Sequence, residues 1–261
     1  MHRVIDPPSN RLVCLGDSFT EGVGDDDPTY PNGVRGWADR TAEQLAANQP
    51  GFLYANLAIR GKLLGQVLSE QLDHALDLRP DLATLYAGGN DVMRPKVDID
   101  ALTGEFEKAV ARLTEAGAKV VLFTGVDGVE DALFRTIRGR VAIYNEHVRV
   151  IAARHGTALV DMWAMRRLRD RRMWAPDRLH LNTLGHTEIA IAVLDTLGAP
   201  HSLTPAELGP RETLSPRDRR AQNLRWSKEH AVPWIRRRLR RESSGDTLTA
   251  KRLQLEPVEA S

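Results

Sequence analysis

Four short stretches of this 261-residue chain carry side chains and backbone whose types and spacing suit nucleophilic chemistry on a carbonyl group. Ser18 follows Gly16 and Asp17, three residues past an apolar run ending at Leu15. A hydroxyl there stands exposed at the end of a strand, ahead of the next helical element, as a serine nucleophile requires. A serine that only caps a turn would occupy the same place. Asp177 and His180 are three residues apart, just before a helical stretch. At that spacing the carboxylate reaches the Nδ1–H of the imidazole, sets its tautomer and stabilises the imidazolium, while Nε2 faces a hydroxyl. Asn90, after Gly88 and Gly89, aims an amide into a cleft or completes an ordinary turn. Gly61 presents a backbone N–H without side-chain obstruction, or serves turn geometry alone. Each feature alone has a plain structural explanation. Together they supply a nucleophile, a base with its orienting carboxylate, and candidate donors for an oxyanion.

The elements that must position these groups alternate along the chain. Short apolar or β-branched runs at residues 11–15, 52–57, 82–86, 119–124 and 157–161 read as strands. Between them, Trp37, Thr41, Leu45 and Asn48 share one helical face. Leu64, Val67, Leu68, Leu72, Ala75 and Leu76 share another, and Leu102, Phe106, Ala109, Val110 and Leu113 a third. Gly117 is a stop for that third helix. Further helices are expected from Ile137 to His155, closed by Gly156, and from Leu184 to Leu197, with Asn182 or Thr183 as N-cap and Gly198 as stop. Such alternation implies a mostly parallel sheet covered on both faces. Ligands of these sheets bind beyond the carboxyl ends of the strands, where all the groups above emerge.

Other candidates carry less. Gly16, Gly22 and Gly24 do not fit a phosphate-binding loop, and Asp25-Asp26-Asp27 would repel a phosphate. That acidic run reads as a solvated loop rather than a metal site. His186 lies inside the last helix and reads as structural. The single cysteine, Cys14, excludes a disulfide framework or a multi-cysteine metal site, and its place in the first strand makes it buried and inert.

Composition is globular, with 42% hydrophobic and 27% charged residues. No apolar run approaches the roughly 18–20 residues that span a bilayer, and the N-terminus has no apolar signal segment, so a cytoplasmic location is expected. The formal net charge of +1 conceals a division. Residues 1–200 hold 23 Lys+Arg against 27 Asp+Glu, whereas residues 201–261 hold 13 against 8. The chain thus reads as a body, 1–200, and a basic C-terminal extension, 201–261. Pro200, Pro205, Pro210 and Pro216 make its first part a linker or strap. A helix follows over roughly Arg217–His230, then a second short one from Pro233, and the remainder reads as extended or disordered. The preferred reading is an extension folded back on the acidic body, anchored by Trp226, Trp234, Ile235 and Leu239. Peripheral contact with anionic lipid is the second reading, and nucleic-acid binding is not favoured.

The order Gly16-Asp17-Ser18, Gly61, Gly88-Gly89-Asn90-Asp91 and Asp177-Arg178-Leu179-His180 resembles the SGNH hydrolases, also called GDSL esterases and lipases. The resemblance covers roughly residues 10–198 and extends into His180–His186. It implies a flavodoxin-like three-layer α/β/α sandwich with a five-stranded parallel sheet in the order 2-1-3-4-5. It also implies Ser18 as nucleophile, His180 as base, Asp177 as its orienting acid, and an oxyanion hole from the N–H groups of Ser18 and Gly61 and the amide of Asn90. No metal or organic cofactor is expected. The expected substrate is a short-chain acyl or acetyl ester, cleaved through an acyl-enzyme. The alternatives are an acyltransferase using the same site and a non-catalytic binding module of the same fold. Nothing in the sequence sets the oligomeric state. Arg60 stands where family members often carry a small residue; its guanidinium is expected in solvent rather than at a substrate. Trp163 and Trp174 are expected to pack rather than to wall an acyl pocket.

Overall fold

Leu12, Val13, Cys14 and Leu15 are all fully buried, and alternate residues serve different cores. This is the period-two geometry of a central strand covered on both faces. A computed structural model describes residues 10–128, 132–210, 215–233 and 243–259. In it β1 (Arg11–Gly16), β2 (Leu53–Asn56), β3 (Leu82–Tyr86), β4 (Lys119–Phe123) and β5 (Ala158–Val160) pair in parallel.

The helices alternate with them: α1 (Ser18–Glu21), α2 (Gly36–Asn48), α3 (Leu64–Val67), α4 (Asp73–Asp77), α5 (Gly89–Val92), α6 (Ile99–Glu115), α7 (Ala132–His155) and α8 (Thr183–Leu197). Leu12 and Cys14 pack with Trp37 and Leu45 of α2 and Ile189 and Val193 of α8. Val13 and Leu15 pack with Leu64 of α3, Phe106 of α6 and Val148 of α7 on the other face. The result is the expected three-layer α/β/α architecture. Burial pushes the Cys14 thiol up to about 12, so it stays protonated and inert.

The sheet differs from expectation in strand number. It has six strands, ordered β5-β4-β3-β1-β2-β6: the five parallel strands keep the expected 2-1-3-4-5 order, and a sixth is added beyond β2. The additional strand, β6 (Arg252–Pro257), runs antiparallel to β2, pairing Leu53 with Pro257 and Tyr54 with Glu256. It covers an edge that would otherwise offer unpaired backbone groups. The extension is therefore not only helical, and the stretch read as extended or disordered holds this strand. α9 (Pro216–Trp226) is present, continued by a π-turn at Ser227–Ala231. Trp234, Ile235 and Leu239 lie outside the described residues.

Two buried polar side chains tie these elements to the end of β1 and to the segment that follows it. A π-turn at Leu68–Leu72 separates α3 from α4, where an uninterrupted helical face was expected. It carries Gln71, whose Nε2 donates to Gly16 O at 2.9 Å while its Oε1 accepts from Gly16 N at 2.9 Å. The backbone that leads into Asp17 and Ser18 is thus held by one buried amide. Lys251, just before β6, is likewise buried, and its ammonium donates to Glu21 O at 3.0 Å, Arg35 O at 2.9 Å and Asp39 Oδ2 at 2.8 Å. Among the described residues no helix is long and apolar enough to cross a membrane.

Candidate active site

β1 ends at Gly16, where a Cβ would overlap Thr20 and the Tyr86 carbonyl. The chain then turns sharply into α1. Asp17 caps this short helix by accepting from Phe19 N at 3.1 Å, which leaves Ser18 as the first helical residue. Ser18 is partly exposed and lines a cavity of about 130 Å³ together with Asn90 and His180.

The imidazole comes from the turn before α8. His180 Nδ1 lies 2.6 Å from Asp177 Oδ2. Asp177 Oδ1 accepts from Leu179 N at 2.9 Å and His180 N at 3.1 Å. Burial pushes the Asp177 carboxyl up, but the hydrogen bond and charge of His180 and the two backbone donors outweigh it and bring it to about 2. The acid is therefore ionised at neutral pH and assigns the proton at Nδ1 to itself, leaving Nε2 as the basic nitrogen. The turn contains Arg178 at φ 62°, a left-handed conformation that a long side chain adopts at a cost. It is braced from outside: Trp226 Nε1 of α9 donates to Asp177 O at 2.9 Å, Arg178 donates to Asn223 Oδ1 at 2.8 Å, and its guanidinium stacks 4.8 Å from the Trp226 ring centroid. Inside, Asn182 caps α8 by accepting from Leu184 N and Gly185 N, at 3.0 and 3.2 Å.

Asn90 enters the cavity wall from α5, after Gly88 at φ 93°. Its Nδ2 donates to Asp17 Oδ2 at 3.2 Å and to Lys62 O at 3.1 Å. Asp17 is almost fully buried, and burial, against an opposing hydrogen bond from Phe19, pushes its carboxyl up to about 7. Gly61 is not among the cavity-lining residues. It adjoins Lys62, whose carbonyl takes the Asn90 amide, and it sits at φ 80° with Ser243 packed where a side chain would go. The structure thus gathers Ser18, Asn90, Asp177 and His180 around one cavity or its immediate support, and sets Gly61 one loop back.

Three expectations are corrected. Arg60 does not point to solvent: its guanidinium pairs with the buried Glu21 carboxylate at 2.7 Å, and Ser243 Oγ donates to its carbonyl at 3.1 Å. Asp25, in the run read as a solvated loop, is buried; it pairs with Arg40 and accepts from Thr183 Oγ1 at 2.7 Å, tying the loop after β1 to the start of α8. Trp174 packs against the core as expected but also lines the cavity. Trp163 does not line it, and lies under the Arg138 guanidinium at 5.2 Å. His186 is structural, as read: it is buried between Trp37 N and Val23 O. Asp17, Gln71, Trp226, Ser243 and Lys251 had no assigned role in the sequence as parts or supports of the site; only Asp17, beside the serine, sits in a motif that draws attention to it. Among the described residues no cluster of three or more His, Cys, Asp or Glu side chains is placed to hold a metal ion.

The α/β fold and the family that the sequence matches make the protein a carboxylic ester hydrolase. The chain belongs to the GDSL-like lipase/acylhydrolase family, which it matches over residues 14–187. Solved structures agree in fold. An α/β hydrolase from the metagenome of Lake Arreo, Spain, LAE5, is 25% identical with a TM-score of 0.63, over 77% of this chain and 100% of its own. Axe2, an acetylxylan esterase from Geobacillus stearothermophilus, is 21% identical with a TM-score of 0.62, over 75% and 97%. TesA is 22% identical with a TM-score of 0.58, over 72% and 98%. No curated protein matches this chain.

Proposed function

We propose that this chain is a serine-dependent hydrolase of small acyl esters that works through an acyl-enzyme. The observation that carries the reading is the shared cavity of Ser18 and His180, with Asp177 Oδ2 2.6 Å from the imidazole Nδ1. His180 Nε2 takes the Ser18 proton as Oγ attacks the ester carbonyl. The tetrahedral oxyanion is held by the Ser18 N–H and the Asn90 amide, with the Gly61 N–H as third donor. The long bond from Asn90 to Asp17 is the one that yields to the developing charge. As the intermediate collapses, the C–O bond to the alcohol breaks and His180 returns the proton to the departing alkoxide. Water then adds to the acyl-Ser18 carbonyl as His180 takes its proton; the ester bond to Oγ breaks, His180 returns that proton to Oγ, and the acid is released with the serine restored. Asp177 stays ionised throughout and stabilises each imidazolium.

The test is hydrolysis of p-nitrophenyl acetate and butyrate by the full chain, with an organophosphonate as covalent probe. The expected result is turnover that is lost in Ser18→Ala, together with a single phosphonyl adduct mapped to Ser18 by mass spectrometry. Turnover surviving in Ser18→Ala, or an adduct at another residue, would sink the assignment. Product analysis with an added alcohol distinguishes free acid, expected here, from a transferred ester.

A further inference from the structure

The cavity at Ser18 is larger and more apolar than an acetyl group needs. We infer that it is an acyl pocket for saturated chains of about four to six carbons, a size set by comparison with the ~150 Å³ apolar cavity that holds benzene. The inference rests on the esterase reading above and narrows its substrate class.

The cavity measures about 130 Å³. Acetyl would place one methyl group beyond the reacting carbonyl and leave most of that space empty, with its apolar lining short of contacts. Phe19, Met93, Phe134, Ile137, Val141 and Met162 contribute apolar surface to the wall. Both methionines are flexible enough to follow a chain of variable length. The Tyr144 hydroxyl, which also borders the cavity, already donates to Ala87 O at 2.6 Å. Recognition of a sugar ring would call for several hydrogen-bonding groups around it. Here the charged and amide side chains in the wall are Asp17, Asn90 and His180, all assigned to the reaction centre.

The chemistry selects the acyl side of the ester for this space. The acyl group stays bonded to Ser18 Oγ through both half-reactions, whereas the alcohol must leave before water enters. An apolar wall continuous with the nucleophile therefore contacts the acyl chain through both transition states. Each methylene withdrawn from water is worth about fourfold in binding.

The test compares two isomers of equal composition, ethyl hexanoate and hexyl acetate, on the purified full chain, followed by a p-nitrophenyl ester series from acetate to decanoate. Ethyl hexanoate is expected to exceed hexyl acetate in kcat/KM by about tenfold or more, and the series to rise from acetate to hexanoate and then level or fall. Val141→Phe should lower the hexanoate-to-acetate ratio, and Val141→Ala should raise the octanoate-to-hexanoate ratio. Equal rates or a preference for hexyl acetate, or an acetate optimum in the series, would overturn the inference. With turnover still dependent on Ser18, those results leave the esterase reading standing; turnover that survives Ser18→Ala removes both.

Discussion

The Lys251 ammonium lies 2.8 Å from Asp39 Oδ2, and both side chains are shut away from solvent. One comes from the C-terminal extension and the other from α2, beside the loop that follows the nucleophile. Burial, partly offset by Lys251, pushes the Asp39 carboxyl up to about 6, and burial lowers the lysine from its ordinary value. Asp39 is therefore ionised at pH 8, and its charge favours the ammonium form of Lys251 against the burial. Removing one partner strands the other. Lys251→Met is expected to destabilise the protein by about 3–5 kcal/mol in urea unfolding at pH 8. The double variant Lys251→Met/Asp39→Leu should regain part of that loss, because it removes the stranded carboxylate. A single variant as stable as the wild type would show that the extension is not anchored through this ion pair.

The same extension reaches the acid–base pair through Trp226, whose indole N–H holds the Asp177 carbonyl. Trp226→Phe keeps a ring beneath Arg178 but deletes that donor. One neutral hydrogen bond contributes about 1 kcal/mol, so the expected loss in kcat is about fivefold or less. KM should stay unchanged, since Trp226 does not line the cavity. Trp226→Ala also removes the stacking with Arg178 and should cost more. A change in KM alone would place Trp226 in substrate binding instead of behind Asp177.

How much of this was legible in the residues follows from the range of the interactions. The strands and the Asp177–His180 spacing are local patterns, and burial on two faces writes itself into alternation and helical period. Ser18 and Asn90 could be placed because a parallel sheet delivers every strand's carboxyl end to one side. The role of Arg60 was not legible: a guanidinium's direction depends on Glu21, 39 positions away, which lies within a short motif otherwise read for Ser18. Lys251 was less legible still. A lysine between Ala250 and Arg252 reads as solvated, and only the pairing of β6 with β2 carries it to Asp39. The π-turn at Gln71 keeps nearly the same apolar face as a helix, so the period could not reveal it.

His186 sets a pH dependence of stability. Its Nδ1 accepts from Trp37 N at 3.2 Å and its Nε2 lies 3.3 Å from Val23 O, so the neutral ring satisfies both neighbours. Burial lowers its pKa from 6.5 to about 4. Between those values the unfolded chain binds more protons than the native one, so stability rises with pH across that window and falls as pH drops through it. The wild-type melting temperature should decline from pH 6.5 to pH 4 more steeply than that of His186→Gln. The variant should be less stable at pH 7, since one buried partner is lost. Parallel melting curves for the two proteins over this range would mean that His186 does not titrate as described.

Asn90 offers the sharpest kinetic test of the proposed oxyanion hole, because its amide has structural partners as well as a proposed catalytic one. If it only tied Asp17 to the Lys62 carbonyl, Asn90→Ala would lower stability and leave the kinetic constants of the folded protein nearly intact. On the proposed mechanism the amide is strongest toward the charged oxygen of the transition state, and its loss acts on kcat. The expected fall is about 10²–10³-fold, with KM changed little. Circular dichroism melts on the same samples separate the two contributions. A variant that melts lower but turns over within a few-fold of the wild type would remove Asn90 from the oxyanion hole and leave Ser18, Asp177 and His180 as the proposed machinery.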